Sequence, residues 1–547
     1  MNSNLSKINY NIIIVFFSFL LLGLFIYRDY GFNIDEKFHR LSGFYWLNYI
    51  ADFFNLELLE KASKEKLLSI EGFTLSNIQY YNKYGIIFDV PAAFLEIILK
   101  INTPIEFYYL RHLLVFFYFF IGLIFFFKIL KNRFQNTNIA LFGVVLLFLT
   151  PRLFGDSFQN TKDIIFLSFL IISTHFSFKI IDKFTLKNVL LFSFFSATSI
   201  STRLFGFILP VSLIVMNLIL MNKNNYKKKL FNISLLIFFN ILFIILVWPL
   251  LWENPISNFL SYFKILDDYF NAKVFFLGKY YNPDLLPFSY TPIWIIISTP
   301  ILHLVLFFLG FALILRRFLS RFLSVGINNN YSDFWRGKNE AKDFFIFINF
   351  IGLLTSLVFL NIKMYNSWRL GYFLYLFIIY FGVYGVYLIY TKKNYLLINK
   401  FFINVIIISL TLLTVCRMII YHPYQSLYFN ILTPKIVKNN VEVDYTGLSS
   451  FNFLKKVIDT NNVKGQIKLG VASWYPIWRV LELIEHKNKI KIVSTNDNFK
   501  ADILYTNRIS EVDKKYNDKY DIPENFEIMD ELIIDGIIIY QSYERKK

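Results

Sequence analysis

The feature that most constrains this chain is a series of long apolar runs separated by short charged segments. Residues 12–24, 113–127, 233–247 and 344–360 contain no charged side chain. A bilayer core is about 30 Å thick, and a helix of about 20 residues crosses it. The sequence therefore predicts an all-α polytopic membrane protein, and the repeated runs leave little room for a soluble fold.

Apolar runs long enough, or nearly long enough, to cross a membrane occur at eleven places. The predicted spans lie at about 11–27, 110–128, 138–150, 164–180, 188–202, 204–221, 231–248, 291–315, 343–361, 371–390 and 401–420. The first is expected to be an uncleaved anchor, because the charged stretch 27–30 follows it instead of a small-residue cleavage site.

Positive residues are concentrated in alternate short loops, which set the expected orientation. These loops hold Lys131 and Arg133, Lys183 and Lys187, residues 227–229, Arg316, Arg317 and Arg321, and Lys392 and Lys393. Because cytoplasmic loops are rich in Lys and Arg, the pattern predicts a multi-pass protein of the cell (inner) membrane with a cytoplasmic N-terminus. The net charge of +18 is explained by these loops, which set the topology and contact membrane lipids. No nucleic-acid partner is expected.

Three long segments are expected on the outer side of the membrane, at about 28–109, at about 249–290 and after Tyr421. The predicted division is a transmembrane domain at 1–421 and a small soluble α/β domain at 422–547. The latter rests on strand-like pieces at 467–471, 490–493, 503–505 and 532–540, and on helix-like pieces at 451–459 and 476–486.

Two groups of carboxylates are expected at the outer face. Asp35 and Glu36 are adjacent and follow the first span, and Asp156 and Asp163 lie in the short loop between the third and fourth spans. Charged groups close to lipid are costly unless they are paired, bound to metal or used, and a carboxylate can accept a proton from a substrate. An ordinary solvated loop remains the alternative for the first pair, and helix capping accounts for Asp163 alone.

Cationic and aromatic residues at the outer ends of the spans form a second set of candidates. They are Arg152, Lys162, Arg203, Lys279, Tyr365, Trp368, Arg369 and His422. An arginine there either reaches to lipid headgroups or holds a phosphate, which its planar group suits. Aromatic rings either belong to the membrane belt or stack on sugars and isoprenoid chains. His422 has no second metal ligand near it in the sequence.

The sequence contains no Walker loop, dinucleotide fingerprint, zinc-spaced Cys/His set or G-x-S-x-G motif. It therefore gives no sign of using ATP or a nucleotide sugar from the cytosol. Because the polar clusters are all expected on the outer side, a reaction there needs a substrate already delivered across the membrane. A polyprenyl-phosphate sugar is the natural form of such a substrate.

In this order and on this side, the motifs resemble those of the GT-C superfamily of membrane glycosyltransferases. The closer resemblance is to the dolichyl-phosphate-mannose–protein mannosyltransferase-like family and its bacterial relatives. It rests on Asp35-Glu36 and on residues 156–163, 202–206, 365–369 and 422–430, and it spans about residues 1–445.

The resemblance implies transfer of a hexose from a polyprenyl-phosphate donor at the outer membrane face, with inversion of the anomeric centre. Asp35 would be the base or acceptor-orienting acid, Glu36 its neighbour, and Asp156 a contact to acceptor or metal. Arg203 and Arg369, with Lys279, would stabilise the departing phosphate. A divalent cation stays open as a cofactor. The acceptor also stays open among a protein, lipid A, and a polysaccharide or lipid carrier.

Three alternatives belong to other classes. A transporter would place ionisable residues near the middle of its spans, whereas here the span interiors are nearly free of charge. A non-catalytic scaffold would not need acids in two separate loops. A polysaccharide polymerase or ligase differs mainly in its donor, and the sequence discriminates it poorly.

Overall fold

The computed structural model describes residues 10–70, 84–268, 273–324, 334–359, 362–365, 367–391, 400–460, 466–509 and 520–546. Lys392 and Lys393, used in the topology prediction, lie outside these residues. The described chain is mainly helical, with a small mixed sheet near its C-terminal end.

The helices follow one another along the whole described chain. They are α1 (Tyr10–Ile26), α2 (Glu36–Phe53), α3 (Glu57–Leu68), α4 (Asp89–Ile98), α5 (Pro104–Phe134), α6 (Thr137–Phe148), α7 (Pro151–Gln159), α8 (Asp163–Asp182), α9 (Leu186–Thr202), α10 (Ile208–Ile219), α11 (Tyr226–Val247), α12 (Pro255–Asp268), α13 (Tyr290–Ser298), α14 (Ile301–Ser324), α15 (Gly337–Phe359), α16 (Leu374–Thr391), α17 (Lys400–Ile420), α18 (Pro434–Val437), α19 (Ser449–Thr460) and α20 (Trp478–Leu481).

Every predicted span coincides with a helix or a pair of helices, which confirms the helical membrane fold. Among the described residues, seven helices (α5, α8, α11, α14, α15, α16 and α17) are long and apolar enough to cross a membrane. The bent pair α6–α7 raises this number to eight, and α1 and residues 204–219 are shorter apolar helices. The predicted count of eleven thus exceeds what length and composition alone establish.

Helices α8 and α16 form the centre of the bundle. In their most apolar windows 83% of the residues are buried, compared with 28% in α11 and 17% in α17. The outer helices therefore leave apolar faces uncovered by protein, as expected where lipid is the neighbour.

Proline accounts for two breaks between helices, because it lacks the N–H that continues a helix. The third predicted span, at about 138–150, corresponds to α6. Residues 151–159, predicted as part of a short outer loop, instead form the buried helix α7, which begins at Pro151 and is bent by 66° from α6. The eighth predicted span divides at Pro300 into α13 and α14. At this second break, the Asn430 side chain donates to the carbonyls of Ile296 (2.6 Å) and Thr299 (3.2 Å), so carbonyls left by the broken helix are satisfied.

A buried ion cluster joins four helices at the end of the bundle where α5 ends. The Asp343 carboxylate accepts from Arg133 Nε (2.7 Å) and Nη2 (2.6 Å), from Arg317 Nη2 (2.8 Å) and from the Tyr380 hydroxyl (2.6 Å). The carboxylate is fully buried, so its loss would leave Arg133 buried without a partner.

We expect Asp343→Ala to lower the free energy of unfolding by about 3–5 kcal/mol, the usual cost of breaking a buried ion pair. Thermal unfolding in detergent measures this. The control is Glu340→Ala one turn earlier, which removes the partly exposed pair with Arg321 and should cost under about 1 kcal/mol. Equal shifts in the two variants would contradict the assignment.

The strands are β1 (Val274–Phe276), β2 (Lys279–Tyr281), β3 (Ile467–Val471), β4 (Ile490–Ile492), β5 (Ile503–Thr506), β6 (Phe526–Ile534) and β7 (Ile537–Arg545). The C-terminal sheet has the order β4-β3-β5-β7-β6, in which β3 runs parallel to β4 and β5. With α19 and α20 it forms the expected α/β unit.

Two local predictions in this unit differ from the structure. The piece 532–540 is not one strand but the turn of the β6–β7 hairpin, where Asp535 (φ 57°) and Gly536 (φ 73°) make the tight connection that Asp-Gly favours. In the piece 476–486, only Trp478–Leu481 is α-helical.

The chain returns into the helical part after α17 instead of leaving it. The Arg152 side chain donates to the Tyr428 carbonyl at 2.9 Å, and the Asn430 N–H donates to the Ile297 carbonyl at 2.9 Å. A Cβ at Gly155 would overlap the backbone of Ser426, so glycine permits this close approach. The predicted boundary at 421/422 therefore falls ahead of a segment that packs against the transmembrane helices.

Candidate active site

A small charged pocket lies where the N-terminal end of α2, the junction of α7 and α8, the C-terminal end of α9 and the loop before α16 meet. Its volume is about 60 Å³. The lining residues are Asn33, Asp35, Phe38, His39, Tyr84, Gln159, Asn160, Thr161, Lys162, Asp163, Arg203, Tyr365 and Arg369. At about 10–15 Å³ per water, the pocket holds about four to six water-sized groups.

Three ion pairs surround the pocket. Arg369 Nη2 donates to Asp35 Oδ2 at 2.8 Å, and Arg203 Nη2 donates to Asp163 Oδ1 at 2.6 Å. Lys162 Nζ donates to Asp89 Oδ2 at 2.7 Å, just behind the lining. Each cation is thus held in place by a carboxylate.

Both arginines use only part of their guanidinium groups in these pairs. Each donates to its carboxylate through Nη2 alone, in an end-on contact. Within the described parts of the chain, the buried Nε atoms of Arg203 and Arg369 have no hydrogen-bond partner. A guanidinium has five N–H donors in a planar fork that matches phosphate, so both side chains retain capacity for an anion.

His39 adds no positive charge to the pocket. Burial lowers its pKa well below the usual value of 6.5, and the nearby charges of Lys162, Arg369 and Arg203 lower it further. The imidazole is therefore neutral at pH 7, and it lies 3.9 Å from the Asp89 carboxylate.

Asp35 is held at the first turn of α2 by an arrangement of the capping-box kind. Its N–H donates to Asn33 Oδ1 at 3.0 Å, and the Asn33 N–H donates to Glu36 Oε1 at 2.8 Å. The Asp35 side chain is 40% exposed, whereas those of Asp163 and Asp89 are 4% and 1% exposed. Among these carboxylates, Asp35 is the one that a substrate can reach.

A larger cleft of about 660 Å³ opens on the same carboxylate. It shares Asp35, Phe38, Tyr365 and Arg369 with the small pocket. Its other wall is the C-terminal α/β unit, which contributes Ser473, Trp474, Tyr475, Trp478 and Arg479 among others. Arg479 Nη1 donates to the Ile34 carbonyl at 3.0 Å, which ties this unit to the Asp35 loop.

The structure brings six of the sequence candidates together in the small pocket. They are Asp35, Lys162, Asp163, Arg203, Tyr365 and Arg369. Asp156 lies directly behind them. It is buried, it accepts from Gln159 (2.9 Å) and Asn160 (3.0 Å), and Asn160 also donates to Asp163 (3.0 Å).

Glu36 does not line either cavity. Its side chain is 1% exposed and pairs with His112 Nε2 at 3.1 Å, on the inner side of α2. A helix turns by about 100° per residue, so adjacent carboxylates at its start point in different directions. The pairing gives Glu36 a structural partner away from the pocket.

Two more candidates lie inside the protein. Arg152 is buried against the rings of Trp294 and Phe429 and donates to the Tyr428 carbonyl. The buried Trp368 indole donates to Ser298 Oγ at 2.7 Å. Neither side chain lines the pocket or the cleft.

The last two candidates lie away from the pocket. Lys279 is an exposed residue of β2, and His422 pairs with Asp29 at 3.0 Å. Neither lines the pocket or the cleft.

Three lining residues, His39, Tyr84 and Asn160, were not among the sequence candidates, nor was Asp89, which pairs with Lys162 just behind the lining. His39 follows Asp35 by four residues and lies on the same face of α2, so helical spacing could have identified it. Asp89 and Tyr84 come from a separate outer segment, and no local pattern links them to Lys162.

No group of three or more His, Cys, Asp or Glu side chains placed to hold a metal ion occurs among the residues that the structure covers.

The helical bundle is that of a polytopic membrane protein, and the charged site lies at one end of it. Residues 89–251 match the family described as dolichyl-phosphate-mannose-protein mannosyltransferase. The matched stretch contains Lys162, Asp163 and Arg203, and it confirms the resemblance to these membrane glycosyltransferases over this part of the chain.

Two crystal structures of ArnT from Cupriavidus metallidurans align with nearly the whole chain. The one bound to undecaprenyl phosphate has 11% sequence identity, a TM-score of 0.46 and coverage of 98% of both chains. The apo structure has 10% identity, a TM-score of 0.47 and coverage of 97% of this chain and 98% of its own. No curated protein sequence matches the chain.

Proposed function

We propose that the protein is a membrane glycosyltransferase that moves a hexose from a polyprenyl-phosphate donor to an acceptor hydroxyl. The name of the matching family supports the reaction class and a lipid-phosphate sugar as the donor. The observation that carries the proposal is the position of Asp35, an exposed carboxylate at the junction of a small cationic pocket and a wide cleft.

The small pocket suits the phosphate of the donor. It has room for a group of about the size of a phosphate, and it is lined by Lys162, Arg203 and Arg369. When the bond between the anomeric carbon and the phosphate oxygen breaks, negative charge grows on the phosphate. Cations already fixed by Asp89, Asp163 and Asp35 stabilise that charge without having to reorganise.

Asp35 is the group that accepts the proton of the acceptor hydroxyl. The acceptor oxygen attacks the anomeric carbon as its proton passes to the carboxylate and the lipid phosphate departs. Because Arg369 contacts Asp35, the guanidinium that meets the donor phosphate also holds the carboxylate beside the reacting sugar.

The wide cleft is the site for the acceptor. It opens on Asp35 and is walled by the C-terminal unit, so that unit takes part in acceptor selection. The family match covers residues 89–251 and does not include this unit, so protein, lipid and glycan acceptors remain the classes to test.

The proposed orientation places the pocket on the outer side of the cell (inner) membrane, with the N-terminus in the cytoplasm. Helix α5 ends with Lys131 and Arg133, and α14 ends with Arg321, at the end of the bundle opposite the pocket. Lys- and Arg-rich ends face the cytoplasm.

The experiment that tests the function uses purified protein in detergent and a panel of radiolabelled polyprenyl-phosphate hexoses. We expect binding of at least one donor and slow release or transfer of its sugar. Failure to bind any donor of this class would overturn the proposal. Binding without transfer would sustain the donor assignment and direct the search to the acceptor.

A further inference from the structure

A groove of about 500 Å³ lies at the opposite end of the bundle from the candidate active site. Helix α8 connects the two, because it begins at Asp163 in the pocket and ends at Asp182 in the groove. Twenty residues of helix extend about 30 Å, which is the thickness of the bilayer core. The groove therefore lies at the other membrane face.

The floor of the groove is apolar. It is formed by the last turn of α8, by α10 and by the start of α11, with Ile180, Leu213, Met216 and Leu220 among its side chains. Trp335, an amphipathic ring of the kind enriched at membrane interfaces, also lines the groove. An apolar floor beside a tryptophan at a membrane face is suited to binding an acyl chain.

The rim of the groove carries an excess of positive charge. Lys183, Lys228, Lys229 and Lys338 line it, and none of them forms an ion pair within the described residues. The one lining carboxylate, Asp182, is already paired with Lys342 at 2.7 Å. An anion in the groove would therefore meet cations that the protein itself leaves uncompensated.

A buried amide provides a second, independent indication of a ligand. Asn232 lines the groove on α11 and is only 7% exposed. Its side chain makes no hydrogen bond with any residue that the structure describes, whereas the nearby Asn217 accepts from Lys229 at 3.2 Å. The Asn232 amide atoms are not among the sealed, unsatisfied polar atoms of the described residues, so they face the groove and can hydrogen-bond a ligand there.

We propose that this groove binds an anionic glycerophospholipid of that leaflet. The phosphate lies among the rim lysines, the Asn232 amide bonds an ester or headgroup oxygen, and an acyl chain covers the apolar floor. Basic pockets between transmembrane helices hold anionic headgroups in this way. The site is separate from the proposed donor site and does not depend on it.

Native mass spectrometry of the full chain in detergent, with phosphatidylglycerol and phosphatidylcholine in equal amounts, tests the proposal. Wild type should retain phosphatidylglycerol in preference. The double variant Lys228→Gln/Lys338→Gln should lose about 25-fold in affinity for it, at about fivefold per lysine. Asn232→Ala should also lower retention, without a change of charge.

The matched control is Lys223→Gln/Lys227→Gln, which removes two exposed lysines from the same region outside the groove. It makes the same change in net charge and should retain the lipid like wild type. Equal losses in the two double variants, or no preference for phosphatidylglycerol, would overturn the proposal. Displacement of the lipid by millimolar glycerol phosphate would also overturn it, because a headgroup alone cannot use the apolar floor.

Discussion

Asp35→Asn should lower the rate of sugar transfer by about 10²- to 10⁴-fold, the range expected when a general base is removed. The amide has nearly the same shape and can still face Arg369, but it cannot accept the acceptor proton. Donor binding should persist, because the small pocket keeps its cations. Single-turnover transfer from a labelled polyprenyl-phosphate hexose, with donor affinity measured separately, distinguishes the two effects.

The neighbouring carboxylate is the natural control. Glu36→Gln removes the charge that faces His112 but keeps an oxygen that can accept from the Asn33 N–H, so the cap that holds Asp35 can persist. The variant should lower thermal stability while transfer stays within about tenfold of wild type. Full activity of Asp35→Asn, or equal loss in both variants, would contradict the role of Asp35.

Arg203→Ala should lower transfer by about 10²- to 10³-fold, as expected for loss of a preorganised group that stabilises developing charge. The variant also leaves the buried Asp163 carboxylate without its ion-pair partner, so its uncompensated negative charge disfavours a phosphate in the pocket. The effect should appear both in donor affinity and in the rate of the chemical step. Donor titration and single-turnover rates measure the two quantities.

Arg203→Lys separates charge from geometry. Lysine can maintain the pair with Asp163, so the protein should remain as stable as wild type, but it lacks the planar fork that matches phosphate. The expected rate of sugar transfer for Arg203→Lys lies between the rates of wild type and Arg203→Ala. Unchanged donor affinity in Arg203→Ala would remove the phosphate role, and a loss that follows thermal stability alone would assign Arg203 a structural one.

The helical membrane fold could be predicted because an apolar run of membrane length has few other solutions. The β3, β4 and β5 strands were predictable from short segments rich in Ile, Leu and Val between polar segments, with Lys468 and Lys491 alternating with apolar residues in β3 and β4. The β6–β7 hairpin was missed because Ile533, Ile534 and Ile537 form a nearly continuous apolar run around Asp535-Gly536. The hairpin could be predicted only by giving the Asp-Gly turn motif more weight than the apolar run around it.

The candidate site was predictable only in part, because the sequence does not give the direction in which each side chain points. Motif order identified the loops that converge, so Asp35, Arg203 and Arg369 were placed in one region. Sequence could not say which side chain of a loop faces inward. Arg152 and Trp368 come from segments that supply pocket residues, yet both are buried in the protein core. Their positions depend on packing against Tyr428 and Ser298, which lie far away in the sequence.

The return of the chain into the bundle after α17 bears on how a C-terminal unit of this kind can be exchanged between proteins. A chimera joined at 421 would replace Tyr428 and Asn430, and the host would lose the partners of Arg152 and of the carbonyls exposed at the Pro300 break. A junction between residues 447 and 449, before α19, preserves those contacts. Exchange of the C-terminal unit between residues 447 and 449 can therefore change the acceptor that the cleft binds and leave the helical bundle intact. Exchange at residue 421 would remove contacts that stabilise the bundle.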